Sequence, residues 1–166
     1  MRKSVLIACV LLMSSTLTGC GLGTQLPDTA TMRGVGNGVD VKSGDLLAQD
    51  VTVVTTGTSV GLSVTVINKA ETETAVSGAS INGKALVLAL NGEATTALPV
   101  LPSGATRIGF QSVESVFGPY VVAAGEYADV VLRFVDGSVL TARALVVNKS
   151  GMYADVVTDL PAPAVA

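Results

Sequence analysis

The segment Gly57-Thr58-Ser59-Val60-Gly61 has the residue spacing with the clearest chemical meaning in this sequence. G-x-S-x-G is the pattern of a hydrolase nucleophile elbow, in which the serine lies on a strand-to-helix turn and a histidine removes its proton. The sequence contains no histidine, and β-strand patterns flank the segment on both sides. We therefore interpret it as a hairpin loop, and we expect no catalytic residues and no enzymatic activity.

Two carboxylates near this segment are candidate ligands for a hard cation. Glu71 and Glu73 could supply oxygen atoms of the kind that Ca²⁺ binds. An exposed polar hairpin tip explains the same two residues, and it is the interpretation that we favour. The sequence therefore predicts no metal site and no cofactor.

The first twenty residues are typical of an exported protein. Arg2 and Lys3 form a short positive start, residues 5–17 are largely apolar, and small residues precede Cys20. This order describes a secretory signal peptide. The apolar stretch is shorter than the roughly 20 residues that a permanent membrane-spanning helix needs.

The four residues at the end of this leader, Leu17-Thr18-Gly19-Cys20, resemble the lipobox of bacterial lipoproteins. The resemblance implies cleavage just before Cys20 and a diacylglyceryl group on its thiol. Two or more acyl chains hold a protein stably on a membrane. We therefore expect residues 1–19 to be a signal peptide, and Cys20 to anchor the protein on the extracytoplasmic face of the cell membrane.

The remainder of the chain has the length of one domain. We expect residues 20–31 to be the acylated cysteine and a flexible tether, because they are small, polar and contain proline. Residues 32–158 are predicted to form one β domain, and residues 159–166 to form a disordered tail.

Charge and cysteine content limit the partners of the mature chain. Without Arg2 and Lys3 it keeps eight basic and thirteen acidic residues, a formal charge of −5, which disfavours nucleic acid as a partner. No disulfide is expected, because Cys9 is removed with the signal peptide and Cys20 carries lipid.

Short β-branched runs separated by Gly, Asn, Asp and Pro predict an all-β domain. Six to eight antiparallel strands of this kind favour an immunoglobulin-like or cupredoxin-like β-sandwich, with a small barrel as the alternative. Residues 85–90 are apolar on both faces and predict a strand buried between layers, with a buried helical turn as the alternative. Period-two alternation assigns three sets of side chains to the core: Val60, Leu62, Val64 and Val66; Ala128, Val130, Leu132 and Phe134; Leu140, Ala142, Ala144 and Val146.

The last two of these sets predict the register of one hairpin. A two-residue turn at Asp136-Gly137 would pair Leu132 with Thr141, so that apolar and polar residues would share a face. A three-residue loop that includes Val135 pairs Leu132 with Leu140 instead. It also places Gly137 in the left-handed region, at a G1 bulge.

Three further stretches match a known family: residues 63–68 (SVTVIN), residues 101–104 (LPSG), and residues 124–134, which run from AGEY to DVVLRF. With the segments between them they resemble the PCu(A)C periplasmic copper-chaperone domain and related actinobacterial lipoproteins, over residues 46–147. The resemblance implies a β-sandwich of cupredoxin type.

The sequence departs from that family at the metal ligands. Copper chaperones of this kind hold Cu(I) through His and Met in an H-x-n-M…H-x-M arrangement, because the ion prefers soft ligands. This chain has no histidine, and its mature methionines, Met32 and Met152, lie near opposite ends of the domain. No copper ligand can be carried over to any position.

These observations predict a non-catalytic binding or interaction module in the cell envelope. Its expected partners are the membrane, through the lipid on Cys20, and an envelope protein or cell-wall component; the residues that bind the latter are unknown. The alternative is an accessory protein in envelope copper handling that has lost the direct His/Met site.

Overall fold

The computed structural model of the chain describes residues 38–159. The predicted signal peptide, Cys20, the tether and residues 160–166 of the predicted tail lie outside the described residues. Among residues 38–159, no helix has the length and apolar character that crossing a membrane requires.

The described residues form an all-β fold, as the sequence predicts. Its one helical element is a 3-10 turn over Gly151–Tyr153. The twelve strands are β1 (Val39–Ser43), β2 (Leu46–Thr55), β3 (Val60–Asn68), β4 (Thr74–Ile81), β5 (Lys84–Ala85), β6 (Val87–Leu90), β7 (Glu93–Thr95), β8 (Leu98–Val100), β9 (Gly104–Ile108), β10 (Glu114–Gly118), β11 (Tyr127–Phe134) and β12 (Val139–Asn148).

The strands are arranged as two layers of one curled sheet. In the first layer the order is β7-β6-β10-β3-β2, with β9 also paired to β3 and β1 to β2; in the second it is β5-β4-β11-β12, with β8 paired to β4. β12 joins the layers, because most of it pairs with β11 while its last three residues pair with β2. β5 and β7 end the strand order, so the fold is the predicted sandwich and not a closed barrel.

Two details differ from the sequence prediction. The pairing of β12 with β2 is parallel, whereas every strand was expected to be antiparallel. The number of strands among the described residues is twelve, whereas six to eight were expected. Residues 85–90 do not form one strand: β5 pairs with β4, Leu86 crosses the core, and β6 pairs with β10 in the other layer.

The core lies between the two layers. All three predicted inward sets are buried there, and side chains from β4, β8 and β9 complete it. Arg133 and Arg143 are exposed on the outer face of the second layer, as the alternation predicts.

The β11–β12 hairpin has the predicted register. Leu132 pairs with Leu140 and Val130 with Ala142. Gly137 has φ +85°, and its N–H donates to the Phe134 carbonyl oxygen at 3.0 Å. The three-residue loop and its bulge are confirmed, since burial of both apolar sets rejects the shorter turn.

Phe134 and Arg133 provide a matched test of these faces. Phe134 is 3% exposed, so Phe134→Ala should lower the free energy of unfolding by about 3–5 kcal/mol. Arg133→Ala should change it by no more than about 0.5 kcal/mol, because the side chain is in water. Urea unfolding of both variants measures the difference, and similar losses would contradict the assigned faces.

Candidate functional site

The Gly57–Gly61 motif lies in a hairpin loop, as predicted. Thr55 at the end of β2 pairs with Val60 at the start of β3, so the loop joins two antiparallel strands. The Ser59 side chain is 3% exposed and its hydroxyl lies 2.7 Å from the Thr56 hydroxyl. Since no helix follows and the chain has no histidine, this serine lacks the surroundings that activate a nucleophile.

The same serine binds the end of the chain that follows β12. Its hydroxyl donates to Oδ2 of Asp159 at 3.1 Å, across a sequence separation of 100 residues. We call residues 151–159 the C-terminal segment. Asp159 is the first residue of the predicted tail, and its carboxylate accepts this hydrogen bond from the β2–β3 loop.

Gly61 allows this segment to lie against the first layer. In the row of paired residues across β2, β3 and β10, Gly61 lies between Val54 and Phe117. A Cβ at Gly61 would collide with the Val157 carbonyl oxygen and would lie 2.9 Å from Cγ1 of Val156. Glycine between two large side chains therefore leaves a notch in the outer face of the sheet, and the segment occupies it.

A second apolar cluster forms around this notch. Val54, Ala89, Phe117 and Val156 are buried, yet they do not belong to the core between the layers. Cross-strand pairing places Phe117 on the outer face beside Gly61. We call these four residues the outer cluster. The C-terminal segment therefore covers part of the first layer as a short third layer.

A cavity of about 420 Å³ lies beside the outer cluster. We call it the outer cavity. Ser115 and Phe117 of β10 line it, and so do Val157 and Thr158 of the C-terminal segment. The remaining lining residues lie in the β6–β7 turn, at residues 112–113, and at three charged positions: Asn91, Gly92, Ser112, Val113, Lys149, Asp155 and Asp159.

The lining combines an apolar surface with a few polar groups. Ser115 and Thr158 are buried, while Lys149, Asp155 and Asp159 are exposed. Small-molecule and peptide sites have this composition and a volume of roughly 300–1,000 Å³. The outer cavity is suited to binding, and it contains no arrangement of nucleophile and base.

None of these lining residues was predicted from the sequence as part of a site. Ser115 and Phe117 alternate with the core residue Val116, which is a strand signal that points the first two to the opposite face. The role of Asp155 and Val157 could not be inferred locally, because it depends on where the C-terminal segment lies.

The two candidate cation ligands lie in the loop between β3 and β4. Glu71 and Glu73 are both exposed. Glu73 lines a separate polar cleft of about 400 Å³ with Asp45 and Asp136, and Glu71 does not. Within residues 38–159, no group of three His, Cys, Asp or Glu side chains has metal-binding geometry.

Among residues 38–159, Met152 is the one sulfur-containing side chain. Met152 is exposed on the 3-10 turn, while Met32 and Cys20 lie outside the described residues. The chain contains no histidine at all.

Solved structures share this fold. The chain is similar to the copper-bound PCuAC domain from PmoF2, with 15% identity, a TM-score of 0.58, and coverage of 66% of this chain and 98% of that one. The apo PmoF2 PCuAC domain is 14% identical, with a TM-score of 0.59 and coverage of 69% of this chain and 99% of that one. The apo PCuAC domain from PmoF1 is 12% identical, with a TM-score of 0.54 and coverage of 65% of this chain and 98% of that one. No protein-family model and no curated protein matches the chain. At these identities the likeness shows a PCuAC-like fold.

Gly61 and Gly78 provide a matched test of the notch. Gly61→Ala should displace the C-terminal segment and lower the free energy of unfolding by about 2 kcal/mol, since burial of Val156 is lost. Gly78 in β4 has no atom within 4 Å of a built Cβ, so Gly78→Ala should leave stability unchanged or raise it by up to about 1 kcal/mol.

Urea unfolding gives the stability change, and hydrogen exchange at Ala154 and Val156 reports the segment itself. We expect faster exchange in Gly61→Ala alone. Equal stability and equal exchange in the two variants would show that the segment does not depend on the notch.

Proposed function

We propose that this chain is a non-catalytic binding module, held on the extracytoplasmic face of the cell membrane by lipid on Cys20. The observation that carries the binding role is the outer cavity, with its apolar surface beside a few polar groups. The lipobox-like sequence Leu17-Thr18-Gly19-Cys20 supports the anchor.

The chemistry of the chain favours binding over catalysis. The one motif with a catalytic spacing uses its serine to hold Asp159, and the sequence has no histidine to act as a base. The charged residues at the outer cavity, Lys149 and Asp155, are exposed and keep their hydration. Such rim charges select and orient a partner.

The predicted tether gives the module reach. Twelve residues, 20–31, can extend to at most about 40 Å. A domain held at that distance can meet an envelope protein or a cell-wall component while its acyl chains stay in the membrane.

An accessory role in envelope copper handling is the second candidate. It is supported by the similarity to PCuAC domains, one of them copper-bound. It requires a partner that holds the metal, because this chain has no histidine and its mature methionines are Met32 and Met152.

Val113 and Val135 provide a matched test of the outer cavity. Both valines are exposed, at 55% and 61%. Val113 lines the outer cavity, and Val135 does not. The full chain is captured from detergent-extracted membranes, and the co-purifying components are quantified by mass spectrometry. Val113→Arg should deplete at least one component about tenfold, as loss of a buried contact of about 1.4 kcal/mol would. Val135→Arg should leave that component unchanged.

The same preparation tests the anchor. Its mature N-terminus should carry an acyl mass increment on Cys20, and Cys20→Ala should remove it. An identical set of components with Val113→Arg would contradict the proposed cavity, and a mature chain without the increment would contradict the anchor.

Copper titration separates the two candidate functions. Because soft ligands are missing, anaerobic calorimetry of the full chain with Cu(I) should show no stoichiometric site. One equivalent bound with micromolar or tighter affinity would instead favour direct copper handling.

A further inference from the structure

The aromatic side chains of this protein divide into three pairs. Phe134 is in the core and Phe117 is in the outer cluster. Tyr120 and Tyr127 are each covered by a cation of the same chain: Lys84 Nζ lies 5.2 Å from the ring centroid of Tyr120, and Arg143 Cζ lies 5.8 Å from that of Tyr127.

The third pair, Phe110 and Tyr153, lines one cavity. It has a volume of about 180 Å³, and its other lining residues are Asp50, Ser63 and Met152. Both rings are partly exposed. Within residues 38–159, no Lys or Arg lies over either ring. Two aromatic rings, a thioether and a carboxylate therefore meet at one place on the outer face of the first layer.

A second cavity of about 220 Å³ adjoins the first. The two share Asp50, Ser63 and Phe110, and the second is also lined by Arg107. Arg107 pairs with Thr65, two residues from Ser63 on the same face of β3. We call the two cavities together the aromatic cleft. Asp50 lines both cavities, and Arg107 lines only the second.

Three independent elements position this cleft. Gly109, with φ +86°, brings residues 109–111 against β3, since a Cβ there would collide with the Leu62 carbonyl oxygen. Tyr153 belongs to the 3-10 turn, and its carbonyl oxygen accepts from the N–H of Val156, which packs at the Gly61 notch.

Asp50 is the third element. It lies at the β2 irregularity with φ +54°, and its N–H donates to Asp40 Oδ1 at 3.0 Å. An aspartate held in the left-handed region of a strand irregularity is costly, and such residues cluster at ligand sites.

We propose that the aromatic cleft binds a small zwitterion with a methylated ammonium group and a nearby anionic group. Aromatic faces attract a quaternary ammonium through their quadrupoles, and Asp50 adds a full negative charge. Arg107 lines the adjoining cavity, and a guanidinium binds a carboxylate or phosphate through a planar pair of N–H groups. The cleft shares no lining residue with the outer cavity, so this ligand is separate from the proposed partner.

Three probes separate the contributions of the two charges. Calorimetric titration of the full chain in neutral detergent micelles would use glycine betaine, its uncharged-head isostere 3,3-dimethylbutanoate, and tetramethylammonium. Glycine betaine should bind with one site. The other two should bind about tenfold more weakly, because each lacks one of the charges.

Matched variants locate the binding. Asp50→Asn removes the charge but keeps a residue that tolerates positive φ, and Tyr153→Leu removes a ring but keeps an apolar side chain. Each should weaken glycine betaine about tenfold. Tyr127→Leu, which removes a ring already covered by Arg143, should leave the affinity unchanged. Circular dichroism checks that every variant folds.

Absence of glycine betaine binding would overturn the proposal. So would equal binding of 3,3-dimethylbutanoate, or unchanged affinity in Asp50→Asn. The comparison of probes on the unmodified chain decides the question even if Tyr153→Leu fails to fold.

Discussion

The contact between Gly61 and the C-terminal segment is the constraint on which both proposed binding sites depend. Gly61 has no side chain and lies between Val54 and Phe117. This gap lets Val156 and Val157 reach the outer face of the sheet. Burial of Val156 contributes about 1.5–3 kcal/mol, and the hydrogen bond from Ser59 to Asp159 adds a polar contact at the segment's end. Both the outer cavity and the aromatic cleft include residues of this segment.

The sandwich core does not depend on that segment. The chain passes from one layer to the other at Leu86 and at the end of β12, and these two passages close the core. The core includes all three inward sets of side chains. The core between the layers and the residues of the two proposed sites are therefore different sets of side chains. The core sustains a PCuAC-like fold, while the residues of both proposed sites lie on its outer face.

The features that were predictable from the sequence are local ones. The β11–β12 hairpin follows from the two-residue period of side chains such as Leu132 and Leu140, together with the need for positive φ at Gly137, and both act within a few residues. The crossing at Leu86 and the parallel end of β12 depend on partners distant in sequence, so alternation could not reveal them. The same holds for Ser59 and Asp159, whose hydrogen bond spans 100 residues. The G-x-S-x-G motif around Ser59 resembles a catalytic one, whereas its last glycine, Gly61, allows close packing of the C-terminal segment.

Nuclear Overhauser spectroscopy of the full chain in detergent micelles tests this account most directly. The account predicts a strong cross-peak between the Gly61 α-protons and a Val156 γ-methyl group, because a Cβ at Gly61 would lie 2.9 Å from Cγ1. Methyl labelling of valine would isolate this signal. A Val156 methyl without contact to Gly61, and with the chemical shift of a solvent-exposed valine, would contradict the docked segment and both sites that depend on it.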